Sequence, residues 1–184
     1  MGDTDAEQIS VLQTRKGDLA AFESLVRTHQ RMIHSLTFRM TGSMADAEDL
    51  AQETFIRAFQ QLDSYRGTAK FSSWLYRIAI NTCLNWRHRE SRRREIHDGW
   101  AADAALRPEA DPPSGGDDAG QAVQAALMKL PAKQRAAIVL TVYDGLNHAD
   151  AARALGCSEA TVSWRVFAAR RKLKRLLGAL GGRK

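Results

Sequence analysis

One stretch divides this chain. Residues 107–118 read RPEADPPSGGDD, and three of the four prolines in the 184-residue sequence, Pro108, Pro112 and Pro113, fall inside it. Proline removes a backbone donor and fixes φ, and glycine is conformationally free. A segment this polar also has little to bury. The reading is a flexible linker over 97–118 between a domain at 1–96 and another at 119–184. Trp100 is the odd residue in it, and it either packs locally on one domain or docks on a partner.

The first flank has helical periodicity. From Asp18, a good N-cap, apolar residues recur at Phe22, Leu25, Val26, Ile33, Leu36 and Met40, with His29 in the same stripe, where a satisfied core role is the plainer reading. Thr41-Gly42-Ser43 stops that helix. Ser43 with Asp46 resembles a capping box at the start of a second, whose apolar face is Ala47, Leu50, Ala51, Phe55, Ala58, Phe59 and Leu62. After the turn at 65–68, a third helix is predicted from about Ser72 to the arginines near 94, with Trp74, Leu75, Ile78, Ala79 and Leu84 on its apolar stripe. No alternating strand pattern competes, so the fold class is all-α.

The second flank is also helical. Val123, Leu127 and Leu130 form one stripe, and Pro131 suits the start of a helix that continues through Val142. Asp144-Gly145 breaks it, and helices are predicted over 148–155 and from Ser158 to Leu177. The Ala152-x-x-x-Gly156 spacing, flanked by Ala151, Leu155, Val162 and Val166, fits a helix-turn-helix. Such a unit needs a small residue at the crossing and a glycine in the turn. Some sixty residues make a small core, so this domain is expected to be marginally stable alone.

The charge pattern points to nucleic acid. The 27 basic residues exceed the 21 acids by six, and their placement says more than the sum. The last helix carries Thr161, Ser163, Trp164, Arg165, Phe167, Arg170 and Arg171, with Glu159 as its lone acid. In the usual docking its first residues reach base edges, Arg165 suits a bidentate guanine contact, and later cations meet phosphates. A basic solvated face on an ordinary hairpin is the alternative, which the independent agreement of turn spacing and charge position disfavours. A second run, Arg87, His88, Arg89, Arg92, Arg93 and Arg94, ends the third helix downstream of Trp74, Tyr76, Asn81 and Trp86. Cations beside aromatics and an amide suit unstacked single strands, although taken alone the signal is weak and a core position is the plainer reading of Trp74. The second helix has the opposite sign: Asp46, Asp49 and Glu53 share a face with Gln52 beside them, either solvated or meeting a cationic partner.

Other classes are disfavoured. There is no phosphate-binding Gly-rich Lys-Ser/Thr loop, no HExxH and no Gly-x-Ser-x-Gly, and the five histidines (His29, His34, His88, His97 and His148) are scattered. The expectation is no enzyme, no cofactor, no metal and no small-molecule substrate. Cys83 and Cys157 are far apart, the opening MGDTDAEQIS is acidic and polar, and no long apolar run follows. These predict a cytoplasmic protein without membrane insertion.

Together the motifs resemble a family. Asp46-Ala-Glu-Asp-Leu-Ala-Gln-Glu-Thr-Phe55, Phe71-Ser-Ser-Trp-Leu-Tyr-Arg-Ile-Ala79 with Asn81, Leu130-Pro-Ala-Lys-Gln-Arg135 and the helix-turn-helix are similar to bacterial RNA polymerase sigma factors of the sigma-70 family. The short two-domain layout resembles the extracytoplasmic-function (ECF, group 4) members. The likeness covers about 18–95 and 120–177. It implies that Asp49, Gln52 and Glu53 contact the β′ clamp of core RNA polymerase, a partner that also includes the β subunit. It implies that Arg66, Lys70, Arg77, Asn81, Arg87 and Arg89 meet the melted −10 element of promoter DNA, with Asn81 as the leading residue and the 66–70 loop lining a base pocket. Thr161, Ser163, Trp164, Arg165, Phe167, Arg170 and Arg171 are then the −35 readers, and an anti-sigma factor is an expected partner. Two positions depart from the pattern. Asn85 stands where members often carry Asp, and Ser163-Trp164 where Arg-Ser is common, so the −35 preference is open.

The rival reading is a stand-alone helix-turn-helix regulator that binds duplex operators as a dimer with two half-sites. It leaves the acidic helix and the arginine-aromatic helix without a joint explanation. A nucleic-acid-processing enzyme is a more distant rival, against which the missing catalytic groups argue.

Overall fold

The computed structural model describes residues 3–98 and 118–181. Trp100 and residues 99–117 of the expected linker lie outside the described residues. Among those described there is no strand, and the chain runs α1 (Asp3–Arg15), α2 (Leu19–Thr41), α3 (Met44–Gln60), α4 (Phe71–Asp98), α5 (Asp118–Met128), α6 (Ala132–Ile138), α7 (His148–Leu155) and α8 (Glu159–Gly181). A short 3-10 turn, Leu62–Ser64, follows α3, and a π-helical turn, Val139–Tyr143, extends α6.

The helix ends form where side chains can satisfy them. Asp18 accepts from the backbone N–H groups of Ala20 and Ala21 at 3.0 and 3.2 Å, and α2 closes on Gly42, whose φ is 80°. Ser43 caps α3 by accepting from the Asp46 N–H at 3.3 Å. Along α2, the predicted stripe is the buried one: Leu25, Ile33, Leu36 and Met40 face Leu50 and Ala58 of α3 and Leu75, Ile78 and Ala79 of α4. Thr37 ties α2 to α3 inside that core by donating to the Ala47 carbonyl at 2.9 Å. Each fully buried Leu or Ile contributes about 1.5–3 kcal/mol.

Three features go beyond the sequence reading. The acidic opening is helical, because tertiary contacts hold α1: Val11 and Thr14 are buried, and Glu7 reaches the buried His29 at 3.0 Å. α4 runs through Asp98, two residues into the expected linker. The second half also has no core of its own size. Ala136, Val139, Leu140, Ala151, Ala152 and Val162 continue the core of α2–α4, and only Leu127, Leu130, Ile138 and Ala169 form a separate cluster. A sixty-residue helical unit buries too little by itself, so its apolar faces find α2 and α4.

Arg135 lies at that junction, with no exposed surface. Its guanidinium donates to the carbonyls of Leu127, Met128 and Leu130 within the second half, at 2.8, 2.7 and 3.2 Å, and to Met40 of α2 at 2.5 Å. Gln124 donates to the Phe38 carbonyl beside it at 3.0 Å, and the Arg39 guanidinium stands 4.4 Å over the Tyr143 ring. Gly42 is required twice here: its φ is left-handed, and a Cβ would meet the Met128 sulfur at 3.0 Å.

Candidate nucleic-acid interface

Apolar groove between α2 and α3. A groove of about 940 Å³ runs between α2 and α3, lined by Val26, Phe38, Phe55, Ile56 and Phe59, with Gln52 and Glu48 on its polar side. Ile56 is 53% exposed and Phe59, on the predicted apolar face, 44%, so α3 is open along its outer edge. Phe59 stacks edge-on against Phe22 at 5.0 Å. The signal was present in the sequence: Ile56 beside Phe55 widens the apolar stripe beyond what one packed face needs. A contiguous open apolar surface of this kind marks a protein contact. Of the three residues assigned here, Gln52 lines the groove and Asp49 is exposed nearby. Glu53 is turned away, taking Arg57 at 2.6 Å and facing Arg89 of α4 at 3.7 Å.

Basic hollow at the start of α4. A hollow of about 420 Å³ is lined by Ser64, Arg66, Ser73, Trp74 and Arg77, and by Arg153 from α7. Arg66 and Arg77 therefore meet, with exposed Lys70 on the connecting loop. Asn81 is exposed one turn beyond Arg77, outside the lining itself. Arg89 leaves the group for Glu53, and Arg87 lies near enough to Arg135 for its charge to lower that residue's pKa. The floor is an aromatic cluster: Tyr65, Phe71 and Trp74 have ring centroids 5.4–5.5 Å apart. Trp74 and Tyr76 are buried and Trp86 is half-buried, so Trp74 takes its core alternative and the α4 aromatics are not an open stacking surface. Burial pushes the Tyr76 phenol well above its usual range.

Helix-turn-helix. α7 and α8 meet through Ala151, Ala152, Ala154, Val162 and Val166, all buried. Gly156 holds φ 59° in the turn, with open space around it, so the need is conformational. The Ser158 hydroxyl accepts from the Thr161 N–H at 3.2 Å and lies 2.9 Å from the Thr161 hydroxyl. Ser163, Trp164, Phe167, Arg170 and Arg171 are exposed, Trp164 and Phe167 by 62% and 65%. Arg165 is half-buried, donating to the Cys157 sulfur at 3.4 Å. His148, which had no assigned part, lies 2.8 Å from the Ser163 hydroxyl and so braces this surface from α7.

The remaining chemistry is sparse. Among the described residues no group of three or more His, Cys, Asp or Glu could hold a metal ion, and no helix is long and apolar enough to cross a membrane. Both cysteines are free, and burial pushes the Cys83 thiol up to about 12.

Comparison with known proteins fits these surfaces. Residues 25–93 match the Sigma-70 region 2 family and residues 120–173 the Sigma-70, region 4 family. The chain is 41% identical over 164 residues to the ECF RNA polymerase sigma factor SigM of Mycobacterium tuberculosis, covering 89% of this chain and 81% of that one. It is 36% identical over 179 residues to the ECF RNA polymerase sigma-E factor of Escherichia coli, covering 92% and 93%. Among solved structures, the sigma factor RpoE in complex with the anti-sigma factor NepR from Bartonella quintana superposes with a TM-score of 0.71 at 28% identity, over 85% of this chain and 96% of that one.

Proposed function

This chain belongs to the ECF sigma factors of the sigma-70 family and is a transcription initiation factor that directs RNA polymerase to promoters, and we propose how its surfaces divide that work. Residues 1–96 hold core polymerase and capture the −10 element, residues 119–184 read the −35 element, and 97–118 connect them. The α2–α3 groove, with Gln52 and Asp49 at its edge, receives the β′ clamp; Glu53 joins that contact once it leaves Arg57 and Arg89. Arg66, Lys70, Arg77 and Asn81 take the melted strand at the hollow, and Arg87 and Arg89 follow its backbone. Thr161, Ser163, Trp164, Arg165 and Phe167 face base edges in the duplex, and Arg170 and Arg171 meet phosphates.

The observation that carries this reading is a single chain presenting an open apolar groove, a basic hollow and a basic helix-turn-helix. Binding duplex with one part while trapping an unstacked base with another turns binding energy into local melting. Extracting a base costs a few kcal/mol, which a pocket and backbone cations offset. Anchoring both parts on polymerase raises their effective concentration at one promoter. The protein performs no chemistry of its own and uses no cofactor or small-molecule substrate, and its place of action is the cytoplasm. The likeness to the NepR-bound sigma factor supports an anti-sigma factor as its regulator.

Footprinting of the holoenzyme on a promoter it transcribes tests this division. Protection of the upstream duplex should be lost with Arg165→Ala, while permanganate-reactive thymines near the start should be lost with Asn81→Ala. Equal loss of both signals in both variants contradicts the assignment.

A further inference from the structure

The loop from Tyr65 to Lys70 carries the base pocket proposed above, yet it belongs to no regular element, and something must hold its shape. Two groups do. From inside, the Tyr65 hydroxyl crosses the loop and donates to the Ala69 carbonyl at 2.7 Å. From outside, Arg15, in the last turn of α1, points its guanidinium at the end of the Leu62–Ser64 turn. One nitrogen, Nη2, donates to the Leu62 carbonyl at 2.8 Å and to the Tyr65 carbonyl, and lies 3.4 Å from the Asp63 carbonyl, while Nε faces the Asp63 carboxylate at 3.6 Å. Carbonyls at the end of a helical turn lack intrahelical partners and carry partial negative charge, so a planar cation is the group that can gather several at once. Gln8 and Leu12 of α1 continue the same contact, lining a small hollow with Tyr65, Arg66 and Gly67.

We infer that Arg15 is a positioning residue for −10 recognition: it sets the conformation of the loop that bears Arg66 and Lys70, and so sets which base the hollow accepts, without touching DNA. The inference rests on the assignment of this loop to the melted strand. Two simpler roles differ from it in what they predict. A residue that only stabilised the fold changes the fraction of active protein and leaves base preference alone. A phosphate contact weakens all sequences equally and lowers the salt dependence of binding.

The test uses the full chain in holoenzyme on a promoter found by start-site mapping, supplied as DNA already open across the −10 element. Four versions carry each base in turn at the captured position. Wild type should prefer one base clearly. Arg15→Lys keeps the charge but lacks the planar fork, and Arg15→Ala lacks both. Both should flatten the preference by about tenfold, the scale of discrimination from one base contact, with protection of the −35 duplex unchanged. Circular dichroism melts report folding separately, and if Arg15→Ala unfolds, Arg15→Lys carries the test. A preference equal to wild type in a folded variant overturns the inference. So does a uniform loss across the four bases, restored by lysine, which assigns Arg15 to a phosphate. A wild type with no base preference refutes the loop assignment itself, and the inference falls with it.

Discussion

The Arg135 guanidinium on α6 donates to the carbonyl of Met40 at the end of α2, 2.5 Å away across 95 residues of sequence. This contact, with Gln124 on Phe38 and Arg39 over Tyr143, joins the helix-turn-helix half of the protein to the half that carries the groove and the hollow. Burial, then the charge of Arg87, lowers the Arg135 pKa to about 10, which still leaves it charged at neutral pH. Replacing Arg135 by Ala removes the donor that these four carbonyls share, although Leu127 keeps the Leu130 N–H. At 1–3 kcal/mol for a buried unsatisfied group, the loss should reach about 3 kcal/mol. For a chain of this size that lowers the melting temperature by about 10 °C. A calorimetric melt within 2 °C of wild type (roughly 1 kcal/mol or less) contradicts this role.

The joined arrangement has a consequence for DNA. Arg153 of α7 lines the same hollow as Arg66 and Arg77, so in this arrangement the helix-turn-helix half crowds the site proposed for the strand. The isolated chain should give no promoter-specific footprint at concentrations where the holoenzyme gives a full one. Tight, sequence-specific protection by the chain alone counts against it.

The groove should tolerate a polar change without loss of fold. Ile56 is 53% exposed, so Ile56→Glu should leave the melt unchanged while weakening core polymerase binding by about tenfold, the scale of one anchor side chain in an interface. Unchanged affinity in a pull-down titration removes the groove from the polymerase contact.

Within α8 the roles separate by position. Arg165→Ala should cost about 1–3 kcal/mol on the preferred −35 sequence and relax choice at one base pair. Arg171→Ala should weaken all sequences alike and reduce the salt slope by about one phosphate's share. Competition titrations at several salt concentrations distinguish the two; identical behaviour refutes the assignment.

Asp144 gives the pH dependence. It follows the π-helical turn, its Oδ2 is buried without a hydrogen-bond partner, and burial raises its pKa from 3.8 to about 7 against the opposing pull of Arg39. The folded protein thus holds this proton more tightly than the unfolded chain. Its effect on stability is nil below about pH 4 and grows unfavourable up to about pH 7. His29 acts oppositely: burial lowers its pKa from 6.5, so stability falls as pH drops through that region. Comparing Asp144→Asn with wild type isolates the first effect. The variant should gain stability relative to wild type as pH rises from about 4 to about 7, and a constant difference across that window rejects the assignment.

Much of the fold was legible in the sequence because single residues specified it. Asp18, Gly42, Ser43, Gly156 and Ser158 mark helix ends by local chemistry, and the α2 and α4 stripes by period. What escaped depended on distant partners. α1 has a polar sequence and is held by Glu7 on His29 and Arg15 on three carbonyls. The burial of Arg135 depends on Met40 and Leu127, and no local pattern distinguishes it from exposed Lys133 two residues before. At the hollow, the family resemblance supplied Arg66 and Arg77, but Glu53 and Arg89 face each other across α3 and α4, which spacing along one helix cannot report.

The most direct measurement is transcription of fragmented genomic DNA by purified core polymerase, with and without this protein, followed by mapping of RNA 5′ ends. Discrete new starts that appear only with the protein, and share sequence upstream at the −35 and −10 spacings, are the predicted result. No new starts, with protection of intact duplex by the protein alone, would contradict the account.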